Sequence, residues 1–365
     1  MHTITVSLGD RSYPIIIARD RYRGLARCLR RLKLGSRGIV VTNRTTGRYV
    51  GREIVRALAA ARMRVSVVEV PDTERAKSPA VAIRLLRRVA RLAQRETPTL
   101  FAVGGGVVGD LTGFAAGTFR RGVPYVQLPT TLLAQVDSAI GGKVGIDLPE
   151  GKNLVGALCQ PRLVYSDVTA LRTLPSRQLR TGLGEVIKYA AIADPVLWRR
   201  LEQRHAAILR GDAAELAWIV ERCARIKARV VARDERETRG LRMVLNFGHT
   251  AGHALEAATG YSGRLTHGEA IAVGMAVAAD LGVRLGVTSS AVRERLCALI
   301  DEYGLPTSLR GVSLARVERA LMFDKKFVAG AQRWVLLRRP GAATIMRGVP
   351  PRLVRAVLRA RLRSR

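Results

Sequence analysis

The chain has 365 residues, and its 62 Lys and Arg against 29 Asp and Glu give a formal net charge of +33. With 48% hydrophobic residues it can bury a sizeable core, so a disordered chain is excluded and two domains or one large one are expected. The charge suggests nucleic-acid binding. However, only 5% of the residues are aromatic and no zinc-finger or RNP-like motif occurs. We therefore expect a solvated basic surface and no specific nucleic-acid partner.

The four cysteines are widely spaced, and none forms a CxxC pair: Cys28, Cys159, Cys223 and Cys297. This pattern predicts free thiols in a reducing compartment, not a disulfide framework or a Cys-ligated metal. The sequence has no apolar signal core and no uninterrupted apolar run of about 18 residues. We therefore expect a cytoplasmic protein with no membrane partner.

The first half of the chain alternates between strand and helix patterns. A strand pair around Gly9-Asp10 is followed by short apolar strands and amphipathic helices, predicted as strand 38–42, helix 47–61, strand 64–70, helix 80–95, strand 99–103 and strand 123–128. Strands separated by helices of this length indicate βαβ units and a parallel sheet. The fold class predicted for this half is an α/β, Rossmann-like domain.

Beyond about residue 175 the sequence is rich in Ala, Leu and Arg with helical periodicity, and the next strand pattern is 333–337. We predict an α/β domain over 1–170 and a mostly α-helical domain over 171–365. A cleft between two such domains is a common place for a ligand.

A glycine-rich segment, Gly104-Gly105-Gly106, follows a predicted strand and opens a predicted helix. Glycine lets the backbone approach a ligand closely, and the N-terminus of a helix offers unpaired N–H groups to a pyrophosphate. The segment lacks the GxGxxG spacing, so an ordinary tight turn remains an alternative.

Only eight of the basic residues are lysines, against 54 arginines. Lys33 lies in ordinary helical surface, and Lys227 lies in the segment RIKARVV. The other six lie close to Gly, Asn, Asp or Glu: Lys77, Lys143, Lys152, Lys188, Lys325 and Lys326. A compact ammonium is retained where a planar guanidinium does not fit. Several lysines at one cleft would bind a phosphate or a carboxylate.

Three of the five histidines are concentrated in one short stretch: His249, His253 and His267. His249 and His253 are one helical turn apart and would share a helix face. The trio predicts a metal site, with Zn²⁺ as the fitting ion, or an acid–base site, and spacing does not say which of them bind metal. For Glu185, three residues before Lys188, the residues alone favour a surface ion pair.

Taken together, these segments resemble the 3-dehydroquinate synthases, sugar-phosphate cyclases of the shikimate pathway. The matching blocks run in family order from about residue 70 to 326: PDTERAKS, GGGVVGDLTGFAAGTFRRG, LPTTLLAQVDSAIGGKVGIDLPEGKNLVGA, TLPSRQLRTGLGEVIKYA, DERETRGLRMVLNFGHTAGHALE, LTHGEAIAVGM and DKK. Three details depart from the family pattern. The stretch 237–242 is one residue longer than usual, and the loop between His253 and His267 is also lengthened. Val41 stands where many relatives carry an acidic residue for the adenosine ribose.

The resemblance implies a set of site residues. The zinc (or cobalt) ligands would be Glu185, His249 and His267, with His253 as an acid–base or hydrogen-bonding residue. NAD contacts would be Asn43, Glu74, Lys77, Gly105, Gly106, Asp110, Thr130, Thr131, Asp137, Lys152, Thr173 and Gln178. Contacts to the substrate phosphate and carboxylate would be Arg121, Lys143, Asn153, Lys188, Lys227, Arg242, Asn246 and one of Lys325 and Lys326.

The resemblance also implies a reaction and an assembly. The substrate would be 3-deoxy-D-arabino-heptulosonate 7-phosphate, which is oxidised by NAD⁺ at C5, loses phosphate, is reduced again and closes to 3-dehydroquinate by an aldol step. The protein would be a homodimer. Two enzyme classes are rivals: other sugar-phosphate cyclases, against which Arg242 and Asn246 argue, and metal-dependent polyol dehydrogenases, against which the phosphate-binding lysines argue.

Overall fold

The computed structural model describes the backbone of residues 1–327 and 332–363, and the side chains of residues 1–322 and 332–362. Its strands are β1 (His2–Val6), β2 (Tyr13–Ala18), β3 (Arg37–Thr42), β4 (Arg64–Glu69), β5 (Thr99–Gly104), β6 (Tyr125–Pro129), β7 (Lys143–Leu148), β8 (Gly151–Leu158), β9 (Leu163–Asp167), β10 (Arg333–Arg339) and β11 (Ala342–Arg347).

The helices are α1 (Leu25–Arg30), α2 (Arg44–Ala60), α3 (Pro79–Ala93), α4 (Gly106–Thr118), α5 (Ser176–Ala193), α6 (Pro195–Leu209), α7 (Ala213–Arg233), α8 (His249–Ala258), α9 (His267–Arg284), α10 (Ser290–Glu302), α11 (Leu314–Phe327) and α12 (Pro351–Arg363). In the part of the chain that the structure describes, no helix has both the length and the hydrophobicity needed to cross a lipid bilayer.

The chain divides into two compact units, one of Met1–Pro175 with Ala213–Arg236 and one of Ser176–Asp212 with Glu237–Arg365. The domain ranges 1–170 and 171–365 stay predictions. Helix α7 belongs to the first unit, where it packs against β1, β2 and the π-helical turn Ala134–Ser138.

A seven-stranded sheet forms the centre of the first unit, in the order β1-β2-β9-β6-β5-β3-β4. Strand β1 pairs antiparallel with β2, and every other pairing in the sheet is parallel. Its central strands are buried on both faces, with Val41 packing towards α3 and α4 and Val40 towards α1 and α2. This explains their continuous apolar sequences.

The second unit consists of helices α5, α6 and α8–α12 with one hairpin, β10-β11. Helix α9 is its central helix, because it contacts α5, α8, α10, α12 and β10. The arginine-rich end of the chain forms α12, whose apolar residues Val354, Val357, Leu358 and Leu362 are buried.

The predicted fold class is confirmed: a parallel α/β unit precedes a mostly helical one. Four strands were not predicted, β7, β8, β9 and β11. Strand β8 is largely exposed and its sequence has no apolar alternation, whereas β7 alternates only over Val144, Ile146 and Leu148.

Candidate active site

The glycine segment lies where parallel strands β5 and β6 end. Gly105 is the N-cap of α4, and a Cβ on it would lie 3.1 Å from Cγ2 of Thr131, so a side chain there would crowd the strand end. The N–H of Thr130 donates to the carbonyl of Gly104 (3.0 Å). The predicted NAD residues Gly105, Gly106, Thr130 and Thr131 are thus together, at the carboxyl edge of a parallel sheet, the usual position of a dinucleotide.

A second group of residues is centred on the buried ammonium of Lys77, and all of its members except Asp147 were predicted. We call it the lysine cluster: Glu74, Lys77, Asp110, Asp147, Lys152 and Asn153. Lys77 Nζ lies 2.8 Å from Asp110 Oδ2 and donates to Asn153 Oδ1 at 2.6 Å. Glu74 Oε1 lies 3.8 Å from Lys77 Nζ and 3.2 Å from Lys152 Nζ. The cluster unites residues that the resemblance assigns to NAD with one, Asn153, assigned to the substrate.

Burial and charge oppose each other in the lysine cluster. Burial lowers the pKa of Lys77, but Asp110 and Glu74 outweigh it, so that the pKa is raised and the ammonium stays charged. Burial raises the pKa of Asp110 to about 6, although Lys77 acts to lower it. Lys77 is therefore the charge that keeps Asp110 ionised at neutral pH.

Three further predicted NAD residues, Asn43, Thr173 and Gln178, are not members of the lysine cluster. Asn43 caps α2 by accepting from the N–H of Thr46 and donates to Asp72 Oδ1 at 2.8 Å. Val41 is fully buried in β3. Thr173 donates to the carbonyl of Ala170 (3.2 Å) in the first unit, and Gln178 is exposed on α5 in the second.

Four predicted substrate residues belong to the first unit: Arg121, Lys143, Asn153 and Lys227. The Lys227 side chain on α7 is buried, and its Nζ lies 2.9 Å from Asp137 Oδ1 and 2.7 Å from the Asp137 carbonyl oxygen. Lys143 begins β7 and is exposed. Arg121 and Asn153 are exposed at positive φ, 63° and 54°. Asp137, a predicted NAD contact, thus pairs with Lys227, a predicted contact of the substrate phosphate.

Two more predicted substrate residues lie on the 3₁₀ segment Leu241–Asn246 of the second unit. Arg242 is buried, with its Nε 3.2 Å from Glu237 Oε1, and Asn246 is exposed. Lys325 and Lys326 fall in α11, but their side chains lie outside the described residues.

The predicted metal ligands come from three helices of the second unit, and we call them the histidine cluster: Glu185, His249 and His267. Glu185 lies in the middle of α5, and the two histidines begin α8 and α9. Nε2 of His249 and Nε2 of His267 lie 3.5 Å and 3.4 Å from Glu185 Oε1. One ligand atom from each residue lies within 4.8 Å of the others.

Both imidazoles turn the same ring nitrogen towards Glu185, because the other nitrogen is engaged. Nδ1 of His249 lies 3.2 Å from the carbonyl oxygen of Phe247, and Nδ1 of His267 lies 3.3 Å from Glu256 Oε2. An acceptor at Nδ1 favours the tautomer with its proton there, which leaves the Nε2 lone pair for a metal ion.

The charges in the histidine cluster are strongly perturbed. Burial alone would raise the pKa of Glu185, but Lys188, His249 and His267 outweigh it and hold that pKa well below its usual value. Burial lowers the pKa of His249 to about 3, so its imidazole is neutral. Burial would also lower the pKa of His267, but the Glu185 and Glu256 carboxylates raise it to about 10. Without an ion this imidazole is therefore protonated at both nitrogens, and its Nε2 must lose a proton before it can bind a metal.

Lys188 pairs with Glu185, as its position three residues later predicts, but both side chains are buried. The expectation of a surface ion pair is therefore wrong, because the middle of α5 is covered by other elements of the unit, among them α9. Among the described residues, neither oxygen of Glu185 accepts a hydrogen bond of normal geometry. A fully buried carboxylate of this kind, beside two imidazole nitrogens, fits Zn²⁺, which prefers these donors.

Glycine brings the helices of the histidine cluster close together. A Cβ on Gly268, next to His267, would lie 2.1 Å from the carbonyl oxygen of Thr181, and one on Gly184, next to Glu185, would lie 2.8 Å from the carbonyl oxygen of Gly268. Likewise, a Cβ on Gly274 would lie 1.9 Å from the carbonyl oxygen of Gly248, which precedes His249. These contacts need hydrogen in place of a side chain, so the backbones of α5, α8 and α9 can approach and converge their ligands.

His253 lies beside the histidine cluster but is exposed. Its ring centroid is 5.2 Å from that of His249 and 6.1 Å from that of His267. With Glu256 and His267 it forms a second group of possible metal ligands. His253 is thus placed to exchange protons with solvent, as the predicted acid–base role requires.

Sequence reasoning missed four acidic residues that contact the predicted ones: Asp72, Asp147, Glu237 and Glu256. A usable signal existed for Glu256, which lies two helical turns after His249 and so on the same face of α8. The contacts of Asp72 and Asp147 join segments distant in sequence, which spacing does not reveal.

Comparison with known proteins identifies the family and agrees with the fold. The family description "3-dehydroquinate synthase N-terminal" matches residues 67–181, and "3-dehydroquinate synthase C-terminal" matches residues 182–327. The 3-dehydroquinate synthase of Pelotomaculum thermopropionicum is 44% identical over 96% of this chain and 94% of its own length. That of Desulforamulus reducens is 43% identical over 98% of this chain and 99% of its own.

A solved structure, 2-epi-5-epi-valiolone synthase from Streptomyces hygroscopicus subsp. jinggangensis with NAD⁺ and Zn²⁺ bound, is similar in fold. It superposes with a TM-score of 0.88 and 27% identity, over 97% of this chain and 98% of that chain. The identity to the two synthases is higher and extends over nearly all of both sequences. The chain therefore belongs to the 3-dehydroquinate synthase family.

Proposed function

We propose that the protein converts 3-deoxy-D-arabino-heptulosonate 7-phosphate to 3-dehydroquinate and inorganic phosphate, the second step of the shikimate pathway. Membership of the family supports this reaction. The structural observation that supports it most directly is the approach of two imidazole Nε2 atoms to the buried Glu185 carboxylate.

We propose Glu185, His249 and His267 as the ligands of a Zn²⁺ or Co²⁺ ion. The approach of both Nε2 atoms to the buried Glu185 carboxylate, together with the imidazoles held at Nδ1, supports this assignment. A bound divalent ion supplies Lewis acidity, which lowers the pKa of a substrate hydroxyl. Lys188, buried beside Glu185, keeps the carboxylate ionised so that it can act as a ligand.

We propose NAD as the redox cofactor, with a pyrophosphate bound at the N-terminus of α4. The crowding at Gly105 and the unpaired N–H groups of the first turn support this position. A bound nicotinamide supplies a hydride acceptor that can return the hydride. The family match also supports the other proposed NAD contacts: Asn43, Glu74, Lys77, Gly106, Asp110, Thr130, Thr131, Asp137, Lys152, Thr173 and Gln178.

The cationic side chains are proposed to bind the two anionic groups of the substrate. Lys143, Lys188, Lys227 and Arg121 would neutralise the phosphate, and Arg242 with Asn246 would hold the carboxylate. Arg242 is buried, and its Nε lies 3.2 Å from Glu237 Oε1, so one carboxylate partly balances its charge. His253 is proposed to move protons, because its ring is exposed yet adjacent to the histidine cluster.

The test is an assay of the purified protein with the heptulosonate phosphate, NAD⁺ and Zn²⁺. We expect release of inorganic phosphate without net formation of NADH, because the hydride returns to the product. No phosphate release from this substrate, with activity on another phosphosugar, would favour a different sugar-phosphate cyclase. Net NADH formation from a polyol would favour a dehydrogenase.

We also propose that the protein is a cytoplasmic homodimer without a specific nucleic-acid partner. Strand β8 exposes Leu154, Val155 and Leu158, an apolar edge that a second copy would cover. All four cysteines are free thiols, consistent with a reducing compartment. Sedimentation of the protein tests the dimer. An RNA complex that survives moderate salt would contradict the nucleic-acid expectation.

A further inference from the structure

Glu256 is a buried acid that none of the proposed roles above uses. It lies two helical turns after His249 on α8, and its residue is 6% exposed. Its Oε2 lies 3.3 Å from Nδ1 of His267, the nitrogen on the opposite side of the imidazole from Glu185. Glu256 therefore contacts a proposed metal ligand from behind.

The two histidines of the histidine cluster are held by acceptors of different kinds. His249 has the neutral carbonyl oxygen of Phe247 at Nδ1, whereas His267 has the carboxylate of Glu256. Both kinds of acceptor orient the ring, but a carboxylate also makes the imidazole a stronger electron donor at its other nitrogen. A hydrogen bond to a charged acceptor is stronger than one to a neutral acceptor.

We propose that Glu256 is a positioning residue for the metal site: it holds His267 in the tautomer that offers Nε2 and strengthens the bond from that nitrogen to the ion. The inference rests on the proposed function, which places a divalent ion at Glu185, His249 and His267. It adds a residue that acts on the ion only through His267.

Glu256 could instead be a ligand itself, since it forms a group with His253 and His267. The geometry favours the positioning role. Glu256 lies on the Nδ1 side of His267, while Nε2 of the same ring points to Glu185 together with Nε2 of His249. In addition, the third member of the alternative group, His253, is exposed, whereas Glu185 is fully buried.

The experiment measures Zn²⁺ affinity by competition with a chelator for the full-length wild type and for Glu256→Gln, Glu256→Ala and His253→Ala. We expect Glu256→Ala to weaken binding about 10- to 100-fold, as loss of a residue behind a ligand does. Glu256→Gln should lose less, because its amide oxygen still accepts the Nδ1 proton. His253→Ala should bind as tightly as the wild type.

Two controls separate positioning from folding. Glu215→Gln removes another buried carboxylate, in the first unit, and should keep wild-type affinity. The visible spectrum of the Co²⁺-loaded proteins reports the ligand field, which should change in Glu256→Ala and be largely restored in Glu256→Gln. A purely structural role would not move this spectrum in a protein that still binds the ion.

Wild-type affinity in both Glu256 variants would overturn this inference alone. A loss in His253→Ala as large as that in Glu256→Ala would overturn it in favour of the ligand role. A wild-type protein that binds no divalent ion would overturn the metal site of the proposed function, and this inference with it.

Discussion

The lysine cluster and the histidine cluster treat buried charge in opposite ways. In the lysine cluster the ammonium of Lys77 lies among three carboxylates and an amide oxygen, and the carboxylates remain partly exposed. In the histidine cluster the carboxylate of Glu185 is fully buried, and among the described residues it accepts no hydrogen bond of normal geometry. The first cluster is balanced within the protein, and the second has a donor set suited to a cation.

This difference fits the role proposed for each cluster: the lysine cluster would orient a ligand, and the histidine cluster would bind a metal ion. A lysine already paired with carboxylates is held rigidly, so it can orient a neutral or weakly charged part of a ligand without being reorganised. The Glu185 carboxylate is paired with one ammonium, that of Lys188, and lies beside two imidazoles, so its remaining oxygen lone pairs can bind an ion. The variants below test this comparison, in order of decreasing expected effect.

The largest effect is expected for His267→Ala, which removes a proposed ligand from the histidine cluster. Zn²⁺ content should fall to background, and phosphate release should fall with it, because the affinity loss should exceed the roughly 10- to 100-fold of a residue behind a ligand. Metal analysis after gel filtration measures this. His253→Ala is the control and should retain zinc, whereas a zinc-replete His267→Ala protein would refute the ligand assignment.

Gly268→Ala tests whether helix approach, not only ligand chemistry, builds the histidine cluster. Its Cβ would meet the Thr181 carbonyl oxygen at 2.1 Å, so α5 and α9 must separate. We expect a loss of about 3 kcal/mol in the free energy of unfolding, the upper end for overpacking, together with weaker Zn²⁺ binding. Urea unfolding of the metal-free protein gives the stability.

The matched control is Gly51→Ala in the interior of α2, where an added Cβ meets no atom within 4 Å. This variant should be more stable than the wild type by about 0.5–1 kcal/mol, because alanine is the better helix former. Equal effects of the two substitutions would contradict the role of close helix contact.

Lys77→Met tests the balance of the lysine cluster. Loss of the ammonium leaves Asp110, Glu74 and Asp147 to repel one another, and we expect about 2 kcal/mol of destabilisation at pH 8, less than for a fully buried pair because the carboxylates are partly exposed. NAD binding should weaken as well. Lys33→Met, at an exposed lysine outside every cluster, should change neither property.

The destabilisation caused by Lys77→Met should depend on pH, because Lys77 lowers the pKa of Asp110. The pKa of Asp110 is about 6 in the folded protein and near its ordinary value of 3.8 when unfolded, so its contribution to stability falls as the pH rises through this window. Lys77 lowers that pKa, so Lys77→Met should raise it further. The destabilisation should therefore be larger at pH 8 than at pH 5, and a loss independent of pH would contradict the coupling.

The smallest effect is expected for Glu235→Gln, outside both clusters. Arg11 and Gln160 contact Glu235, and Arg11 holds the pKa of its carboxyl below the usual value. Its stabilisation is present above the ordinary pKa and is lost as the pH falls through the lowered one. Between pH 7 and pH 3 the free energy of unfolding of Glu235→Gln should decrease less than that of the wild type. The control Glu294→Gln, at an exposed position, should show the wild-type decrease.

Much of the fold was predictable, because buried parallel strands such as β3 and β5 are short apolar runs between amphipathic helices. The hairpin β7-β8 was not, because β8 is largely exposed and does not alternate, and the alternation in β7 is limited to Val144, Ile146 and Leu148. The histidines could be grouped from spacing alone, but Glu185 could not be joined to them. Its contact with His249 and His267 depends on helix crossings at Gly184 and Gly268, which only the folded backbone reveals.

Helix α7 has a consequence for how this protein can be made and divided. Because Ala213–Arg236 belongs to the first unit while Ser176–Asp212 belongs to the second, the chain passes between the units at three points. A single cut therefore cannot release either unit intact. During synthesis the ribosome must add the first helices of the second unit before it reaches the last helix of the first, and Lys227 meets Asp137 only then. The first unit can therefore be completed only after part of the second unit has been synthesised.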